Sequence, residues 1–263
     1  LNDCSGIIAG TEIYNSNLLL SLKNLEVIFR VGIGIDNIDQ KVLNKNKIKL
    51  FNTPDAPSVS AAEYSLALIL SVAKGCSKLS HQTKNKKWIR FQHQEFSNLS
   101  IGVVGLGRIG FRVLKLLYKL PFKKIFANDI DKKKYQLKRK KIEYCNKDKL
   151  LKYSDIVSFH VPLTKKTKNY LSKKNLLKMK RGSSIVNTSR GEIINEKDLL
   201  FLIKKNYFSN IALDVTCKEP YAGPLLNFDN VSITPHNASM SSQSRKKMVD
   251  GTIKIIKKFY KKK

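Results

Sequence analysis

Residues 100–110 read SIGVVGLGRIG, and this stretch decides the fold. An apolar run leads directly into Gly105, Gly107 and Gly110, and apolar residues at helical spacing follow over residues 108–120. A Gly-x-Gly-x-x-Gly motif that ends a strand and opens a helix is typical of the phosphate-binding turn in a dinucleotide-binding βαβ unit. The stretch therefore predicts a doubly wound α/β fold with a parallel sheet that binds a dinucleotide.

Each part of this motif has a predicted role in binding the cofactor. Gly105 permits the tight turn, Gly107 lets a pyrophosphate approach the backbone, and Gly110 allows the helix to pack on the strand. The amides of Arg108 and Ile109 stand at the helix N-terminus, where unpaired N–H groups attract phosphate. We expect all five residues to contact the cofactor.

Asp129 is the acid expected at the end of the following strand, 24 residues after Gly105. Its carboxylate would accept hydrogen bonds from the adenine ribose and repel a 2′-phosphate, which favours NAD over NADP. The nearby Lys132–Lys134 run weakens this preference.

Apolar strands and helices alternate along the whole chain. After the glycine motif, strands are predicted in KKIFANDI, SDIVSFHVP, GSSIVNTS, SNIALDV and NVSITPH, with helices at about 172–180 and 196–205. Before it, SGIIAG, LEVIFRVGIG and IKLFNTP are predicted strands, followed by a nearly all-apolar helix over residues 58–75. Such alternation indicates a parallel sheet covered on both faces. The apolar helix must be buried within this chain or against a second copy of it.

The composition limits the other classes of protein. A net charge of +30 is compatible with nucleic-acid binding, but the lysines are spread over nearly every predicted surface helix, which favours compositional bias and no nucleic-acid partner. Four scattered cysteines without a Cys-x-x-Cys pair argue against a metal site or a disulfide framework and favour the reducing cytoplasm. No uninterrupted run of 18 apolar residues is present, so no membrane span is expected.

Three reactive side chains come at or after the ends of successive predicted strands: Arg190, Glu219 and His236. The carboxyl ends of parallel strands form the ligand crevice of such a sheet, so we expect these residues to converge beside the nicotinamide. Arginine can bind a carboxylate through two parallel hydrogen bonds, and histidine can exchange a proton near neutral pH. A carboxylate next to the ring stabilises imidazolium. Each residue alone has an ordinary structural explanation, but together they predict a catalytic site. His160 is assigned to the adenine side.

The chain resembles the D-isomer-specific 2-hydroxyacid dehydrogenases, in particular the phosphoglycerate dehydrogenase branch. The resemblance rests on segments in family order: VGIGIDNID, NTPDAPSVSAAE, GLGRIG, HVPLT, NTSRGEIINE, ALDV, EP and TPH. It implies that Arg190 binds the substrate, Glu219 orients the histidine and His236 donates the proton.

The resemblance also implies further binding residues. Arg190 and His236 adjoin the cofactor as well, and the other members of the cofactor set are Val161 on the adenosine side, Thr188, Ser189 and Ala238 on the nicotinamide side, and Asp214 at the carboxamide. The substrate set is Arg30, Arg190 and the backbone amides of Gly32, Ile33 and Gly34. Phosphoglycerate enzymes often have an arginine where this chain has Ala9, which puts a phosphorylated substrate in doubt.

The implied architecture is two doubly wound domains. Residues 58–238 would form the NAD-binding Rossmann domain, with a dimerisation helix at its start. Residues 1–57 and 239–263 would form a smaller, flavodoxin-like substrate-binding lid. The lid is expected to lack roughly 40–50 residues at its start, about two strand–helix units. A homodimer is the expected assembly.

Several functions remain open. The leading prediction is NAD-dependent conversion of 3-phosphoglycerate to 3-phosphohydroxypyruvate, which would place the chain in serine biosynthesis. The same chemistry on glyoxylate, hydroxypyruvate or another 2-oxo acid is the alternative. A non-catalytic, NAD-sensing protein like the carboxyl-terminal-binding corepressors would keep the same three residues. Nucleic-acid binding by charge alone would show a steep dependence on salt.

Overall fold

A computed structural model describes residues 4–131 and 137–261 of the chain. The Lys132–Lys134 run, which bears on the choice between NAD and NADP, lies outside these residues. The chain divides into two compact units. Unit 1 comprises Leu1–Ser60 and Ser239–Lys263, and unit 2 comprises Ala61–Ala238.

The strands and helices of the described residues follow each other in the alternation that the sequence predicts. The strands are β1 (Gly6–Ala9), β2 (Val27–Arg30), β3 (Lys49–Asn52), β4 (Ser100–Val104), β5 (Lys124–Asn128), β6 (Ile142–Tyr144), β7 (Ile156–Phe159), β8 (Ser184–Asn187), β9 (Ile211–Leu213) and β10 (Val231–Ile233). The α-helices are α1 (Ser16–Ser21), α2 (Gln40–Lys45), α3 (Ser58–Lys74), α4 (Cys76–Lys84), α5 (Arg108–Tyr118), α6 (Lys147–Tyr153), α7 (Lys173–Leu176), α8 (Glu196–Lys204) and α9 (Ser242–Tyr260).

The sheet of unit 2 has seven strands in the order β10-β9-β8-β7-β4-β5-β6, and every pairing in it is parallel. The chain winds outward from β4 in both directions, so the strand order reverses between β4 and β7. The doubly wound prediction is confirmed. Ligands bind such sheets at the carboxyl edge beside this switch point, and the glycine motif lies there, directly after β4.

Both faces of this sheet are covered by helices. Val103 of β4 packs with Ile69 of α3 and Val113 of α5 in one core, whereas the adjacent Val104 packs with Leu150 of α6 and Leu199 of α8 in the other. Alternate side chains of a strand point to opposite faces, so both faces of β4 are apolar. This explains why the central strands are continuous apolar runs in the sequence.

Unit 1 contains a smaller parallel sheet in the order β1-β2-β3. One face carries an apolar core that includes Leu19 of α1 and Leu43 of α2. On the other face, Phe29 of β2 contacts Phe259 and Tyr260 of α9. The last helix of the chain thus covers the sheet formed by its first strands.

Four elements differ from the sequence-based prediction or were not predicted. The helix expected at 172–180 is reduced to α7, because Lys178 and Met179 make tighter i→i+3 bonds to Asn175 and Leu176. Helix α4 and the β6–α6 pair were not predicted.

Helix α3 matches the predicted apolar helix. Within the described residues, no single helix is long and apolar enough to cross a membrane. Taken together, helices α3 and α4 pass this test, by length and composition only, and the chain bends by 66° between them.

Candidate active site

The glycine turn after β4 has close packing on one side and open space on the other. Gly105 has φ +89°, and a Cβ on it would lie 2.8 Å from the backbone carbonyl of His160. A Cβ on Gly110 would lie 1.8 Å from the carbonyl oxygen of Gly105, so α5 can approach the turn only with glycine there. By contrast, a Cβ on Gly107 would have no atom within 4 Å. The open space at Gly107 fits the approach of a pyrophosphate.

The first turn of α5 provides the donors for such an anion. Gly107 caps the helix, and Arg108 and Ile109 are its first two residues. Their amides belong to the four that have no partner within a helix, and the helix dipole favours negative charge at this end. Val161 lies against the same turn, with its Cγ1 2.9 Å from the position of a Cβ on Gly105.

Asp129 follows β5 and reaches the glycine turn. Its carboxylate accepts hydrogen bonds from the amide of Leu106 at 2.5 Å and from the amide of Asp131 at 2.8 Å. The acid is therefore held where the sequence places it, and each oxygen keeps acceptor capacity for ribose hydroxyls. The neighbouring side chain of Ile130 is fully exposed.

His160 follows β7 and lies under the glycine turn, where its Nε2 is 2.9 Å from the hydroxyl of Ser158. Its Nδ1 is buried and has no hydrogen-bond partner in the described residues. Burial lowers the pKa of His160 to about 3, so the ring is neutral at physiological pH. A buried neutral ring behind the glycine turn has a packing role, which fits its assignment to the cofactor side.

Arg190 stands just beyond β8, as predicted, and is partly exposed. The turn that carries it uses the predicted cofactor residues for internal bonds. The hydroxyl of Thr188 is 2.7 Å from that of Ser65 in α3, and the hydroxyl of Ser189 donates to Asn187 at 2.8 Å. Both hydroxyls therefore already have partners within unit 2.

Glu219 and His236 form a hydrogen-bonded pair, with Oε2 of Glu219 2.9 Å from Nδ1 of His236. The other carboxylate oxygen accepts from the amide of Thr216 at 3.2 Å. Burial alone would raise the pKa of Glu219. The hydrogen bond and charge of His236, with smaller effects of Thr216 and Arg190, outweigh burial and hold this pKa below its ordinary value. Glu219 is therefore ionised at neutral pH.

Asp214, predicted to hold the nicotinamide carboxamide, is fully buried and organises the loop that carries His236. Its Oδ1 accepts from the hydroxyl of Thr234 at 2.6 Å and from the amide of Asn237 at 2.8 Å. Its Oδ2 accepts from the amide of Ala238 at 2.9 Å. Among the described residues, the bonds to this loop take three of the four acceptor positions of Asp214 and leave one on Oδ2.

Two further residues, which the sequence does not predict as site residues, contact the turn that carries Arg190 or the backbone beside it. Asn187 bonds to the turn that carries Arg190. A Cβ on Gly191 would lie 2.0 Å from the carbonyl carbon of Thr216, so the Arg190 turn packs directly on the backbone that holds Glu219. The glycine next to Arg190 was the one available signal in the sequence.

The predicted substrate residues of unit 1 lie at the end of β2, where Arg30 is the last residue, and in the loop that follows it. The side chain of Arg30 folds back on this loop and donates to the carbonyl of Gly34 at 3.0 Å and to that of Val31. The prediction for the amide of Gly32 needs correction, because that amide donates to the hydroxyl of Thr53 at 3.0 Å. The amides of Ile33 and Gly34 remain the candidates.

Ala9, in the place where an arginine was considered, is fully buried in the core of unit 1. Within the described residues, no group of three His, Cys, Asp or Glu side chains is arranged to hold a metal ion.

The sequence of this chain is similar to those of known enzymes. The chain is 35% identical over 235 residues to the D-3-phosphoglycerate dehydrogenase of Archaeoglobus fulgidus, covering 88% of this chain and 44% of that protein. It is 30% identical over 259 residues to the glyoxylate reductase of Korarchaeum cryptofilum, covering 95% and 78%. The chain thus spans less than half of the first relative and most of the second.

A solved structure shares the fold. The D-lactate dehydrogenase of Aquifex aeolicus, solved with NAD and lactic acid, superposes with a TM-score of 0.88 at 28% identity, over 99% of this chain and 84% of that one. The profile of the D-isomer specific 2-hydroxyacid dehydrogenase NAD-binding domain matches residues 66–238, which contain the glycine turn, Arg190, Glu219 and His236. This chain belongs to the D-isomer specific 2-hydroxyacid dehydrogenase family, and residues 66–238 are its NAD-binding domain.

Proposed function

We propose that this chain interconverts a D-2-hydroxy acid and its 2-oxo acid with NAD as the cofactor. The observation that carries the proposal is the 2.9 Å His236–Glu219 pair, which stands with Arg190 at the carboxyl ends of β10, β9 and β8. Gly191, next to Arg190, packs on the backbone of Thr216, whose amide bonds to Glu219, so the turn that carries Arg190 adjoins the pair. The pair is on the same sheet edge as the glycine turn.

The roles of the three residues follow from their contacts. When bound, NADH supplies the hydride that reduces C2 of the 2-oxo acid. Glu219 engages Nδ1 of His236, which leaves Nε2 to donate a proton to the carbonyl oxygen. The ionised Glu219 stabilises the imidazolium before that proton leaves. Arg190 binds the substrate carboxylate through two parallel hydrogen bonds. In the oxidative direction, neutral His236 accepts the hydroxyl proton.

The proposed cofactor residues have separate tasks. Amides at the start of α5 bind the pyrophosphate, Asp129 accepts from the adenine ribose, and the remaining acceptor position of Asp214 receives the carboxamide. The proposed set is Gly105, Gly107, Arg108, Ile109, Gly110, Asp129, Val161, Thr188, Ser189, Arg190, Asp214, His236 and Ala238. For the substrate, we propose Arg30, Arg190 and the amides of Ile33 and Gly34.

The proposed substrate is a phosphorylated 2-oxo acid, as in the phosphoglycerate dehydrogenase branch. The relative at 35% identity has that name and supports this choice. The glyoxylate reductase at 30% identity supports an unphosphorylated acid as the second candidate, and so does buried Ala9 in place of an arginine.

A panel of acids tests both proposals. NADH consumption is measured with 3-phosphohydroxypyruvate, hydroxypyruvate, glyoxylate and pyruvate. Preference for the phosphorylated acid is the expected result and supports a place in serine synthesis. Turnover of unphosphorylated acids alone would support the second candidate. Binding of NADH without any turnover would contradict the proposed reaction and favour an NAD-sensing role.

We also propose a cytoplasmic homodimer. All four cysteines are free, which fits a reducing compartment. Val59, Glu63 and Ala67 form the exposed face of the mostly apolar helix α3, and the two apolar members of this face support α3 as part of the dimer contact. Light scattering of the purified chain would measure the mass, and a monomer at all concentrations would contradict this proposal.

A further inference from the structure

The side chain of Asn187 is placed to control the direction of the turn that carries Arg190. Asn187 is the last residue of β8 and is fully buried. Its Oδ1 accepts from the amide of Ser189 at 3.0 Å and from its hydroxyl at 2.8 Å, and its Nδ2 donates to the carbonyl of Arg190 at 2.8 Å. The side chain of Asn187 therefore makes three hydrogen bonds: two with Ser189 and one with the carbonyl of Arg190.

The bonds of Asn187 take the place of the backbone hydrogen bonds of the sheet, which stop at the end of β8. Backbone groups beyond a strand must find other partners when they are buried, and asparagine is well suited to bond to a backbone two or three residues further on. Arg190 itself is extended, with φ −147° and ψ 144°, and the 3-10 turn Gly191–Ile193 begins directly after it. The path of the chain at Arg190 is thus fixed from the strand side by Asn187.

The other side of Arg190 is fixed by the contact of Gly191. A Cβ there would overlap the carbonyl of Thr216, whose amide holds Glu219. Arg190 also donates from Nη1 to the carbonyl of Ser189 at 2.7 Å, within the same turn. Loss of the Asn187 bonds would therefore allow this turn to change direction on one side while Gly191 stays in place.

We propose that Asn187 is a positioning residue that acts on the substrate through Arg190 and touches neither substrate nor cofactor. This inference rests on the proposed function, because it assigns a role to the carboxylate-binding step. A positioning role predicts that the effect of removing Asn187 disappears once the Arg190 side chain is absent.

The experiment is a double-mutant cycle with Asn187→Ala, Arg190→Ala and both changes together, using the 2-oxo acid that the native chain turns over best. Asn187→Ala should lower kcat/KM at least about tenfold, mostly through KM, with the Kd of NADH within about twofold of the native value. In the Arg190→Ala background, the same change should alter kcat/KM by less than about twofold.

Asn210→Ala is the matched control. Asn210 is also buried, and its Nδ2 donates to the carbonyl of Val72 at 3.0 Å, but it precedes β9 at the opposite edge of the sheet. Asn210→Ala should lose about as much thermal stability as Asn187→Ala and keep the native KM. If Asn187→Ala does not fold, Asn187→Asp retains the acceptors for Ser189, removes the donor to Arg190 and should raise KM in the same way.

The outcomes separate this inference from the proposed function. Native KM and kcat in a folded Asn187 variant would overturn the positioning role. It would also be overturned if Asn187→Ala lowered kcat/KM by the same factor with and without Arg190→Ala. Absence of turnover in the native chain with every acid would instead overturn the proposed function on which the inference rests.

Discussion

At the scale of single residues, the hydrogen bond to Glu219 orients the ring of His236. The bond between Nδ1 and Oε2 leaves one ring nitrogen for the substrate. We predict that His236→Ala lowers kcat about 10²–10⁴-fold, the range for loss of a general acid. NADH affinity should fall far less than kcat, because His236 only adjoins the cofactor, whereas binding of the pyrophosphate and ribose is assigned to the glycine turn and Asp129. Steady-state kinetics and fluorescence titration with NADH measure the two quantities.

A matched variant separates orientation from proton transfer. Glu219→Gln retains a side chain of the same shape, so it should keep the fold and reduce kcat less than His236→Ala does. Nearly native turnover in His236→Ala would show that another group donates the proton.

His160 gives a prediction about the dependence of stability on pH. Its pKa is about 3 in the folded chain, below the ordinary histidine value of about 6.5. Between these values the unfolded chain binds a proton that the folded chain does not, so this group makes the free energy of unfolding fall as pH falls. The contribution approaches about 1.4 kcal/mol per pH unit. We predict that His160→Gln removes this part of the slope in urea unfolding between pH 6.5 and 5.

The exposed His93 provides the control for that measurement. His93→Gln removes one histidine as His160→Gln does, so the slope of His160→Gln is compared with the slope of this variant. Equal slopes for the native chain and His160→Gln would mean that the buried ring accepts a proton in the folded state.

At the scale of elements, the β4–turn–α5 unit separates glycines required for packing from one required for binding. Gly110→Ala forces a Cβ against the carbonyl of Gly105, so we predict a loss of several kcal/mol of stability, comparable to overpacking in a core. Gly107 has φ −66°, and a Cβ there would have open space around it, so the stability of Gly107→Ala should be nearly native. Its Kd for NADH should rise at least about tenfold, because the methyl group occupies the space proposed for pyrophosphate.

Thermal melting and NADH titration of the two variants test this division. The alanine at position 107 serves as the control for the one at 110, since both introduce the same group into the same motif. Unchanged NADH affinity in Gly107→Ala would show that the pyrophosphate does not bind on the open side of the turn.

Elements with strong apolar patterns were predictable, and those without them were not. Strands such as β4 and β8 are buried on both faces, and their continuous apolar residues indicate them directly. The three-residue β6 and the lysine-rich α6 between Lys147 and Tyr153 give short, weak patterns, and their place at the edge of the sheet is decided by tertiary packing.

The site divides in the same way. Arg190, Glu219 and His236 are placed by the strand ends that precede them, so the sequence located them. The contact of Gly191 with Thr216 and the bond from Gly32 to Thr53 depend on backbone paths between distant segments, and only the glycine next to Arg190 hints at the first of them. The bonds of Asn187 are local, but they form only because the chain turns after β8.

At the scale of the whole molecule, the two units have very different cores. In the described residues, the sheet of unit 2 has seven strands with a large apolar core on each face, whereas the sheet of unit 1 has three strands, with a small core on one face and the contact of Phe29 with α9 on the other. In unit 1, β1 pairs with β2 alone among the described strands, and Ile8 within it is 63% exposed. Burial of apolar area is the main favourable term in folding, so we infer that unit 1 opens at a lower free energy than unit 2.

Hydrogen exchange followed by mass spectrometry tests this difference in stability. We predict that amides of β1 exchange at least about a hundredfold faster than those of β4 and β7, since opening β1 breaks one ladder and exposes little apolar area. Adding NADH should slow exchange at the start of α5 and leave β1 unaltered if the cofactor binds at the glycine turn. Equal protection of β1 and β4 would contradict this difference, because the small core of unit 1 would then open at the same free energy as the larger cores of unit 2.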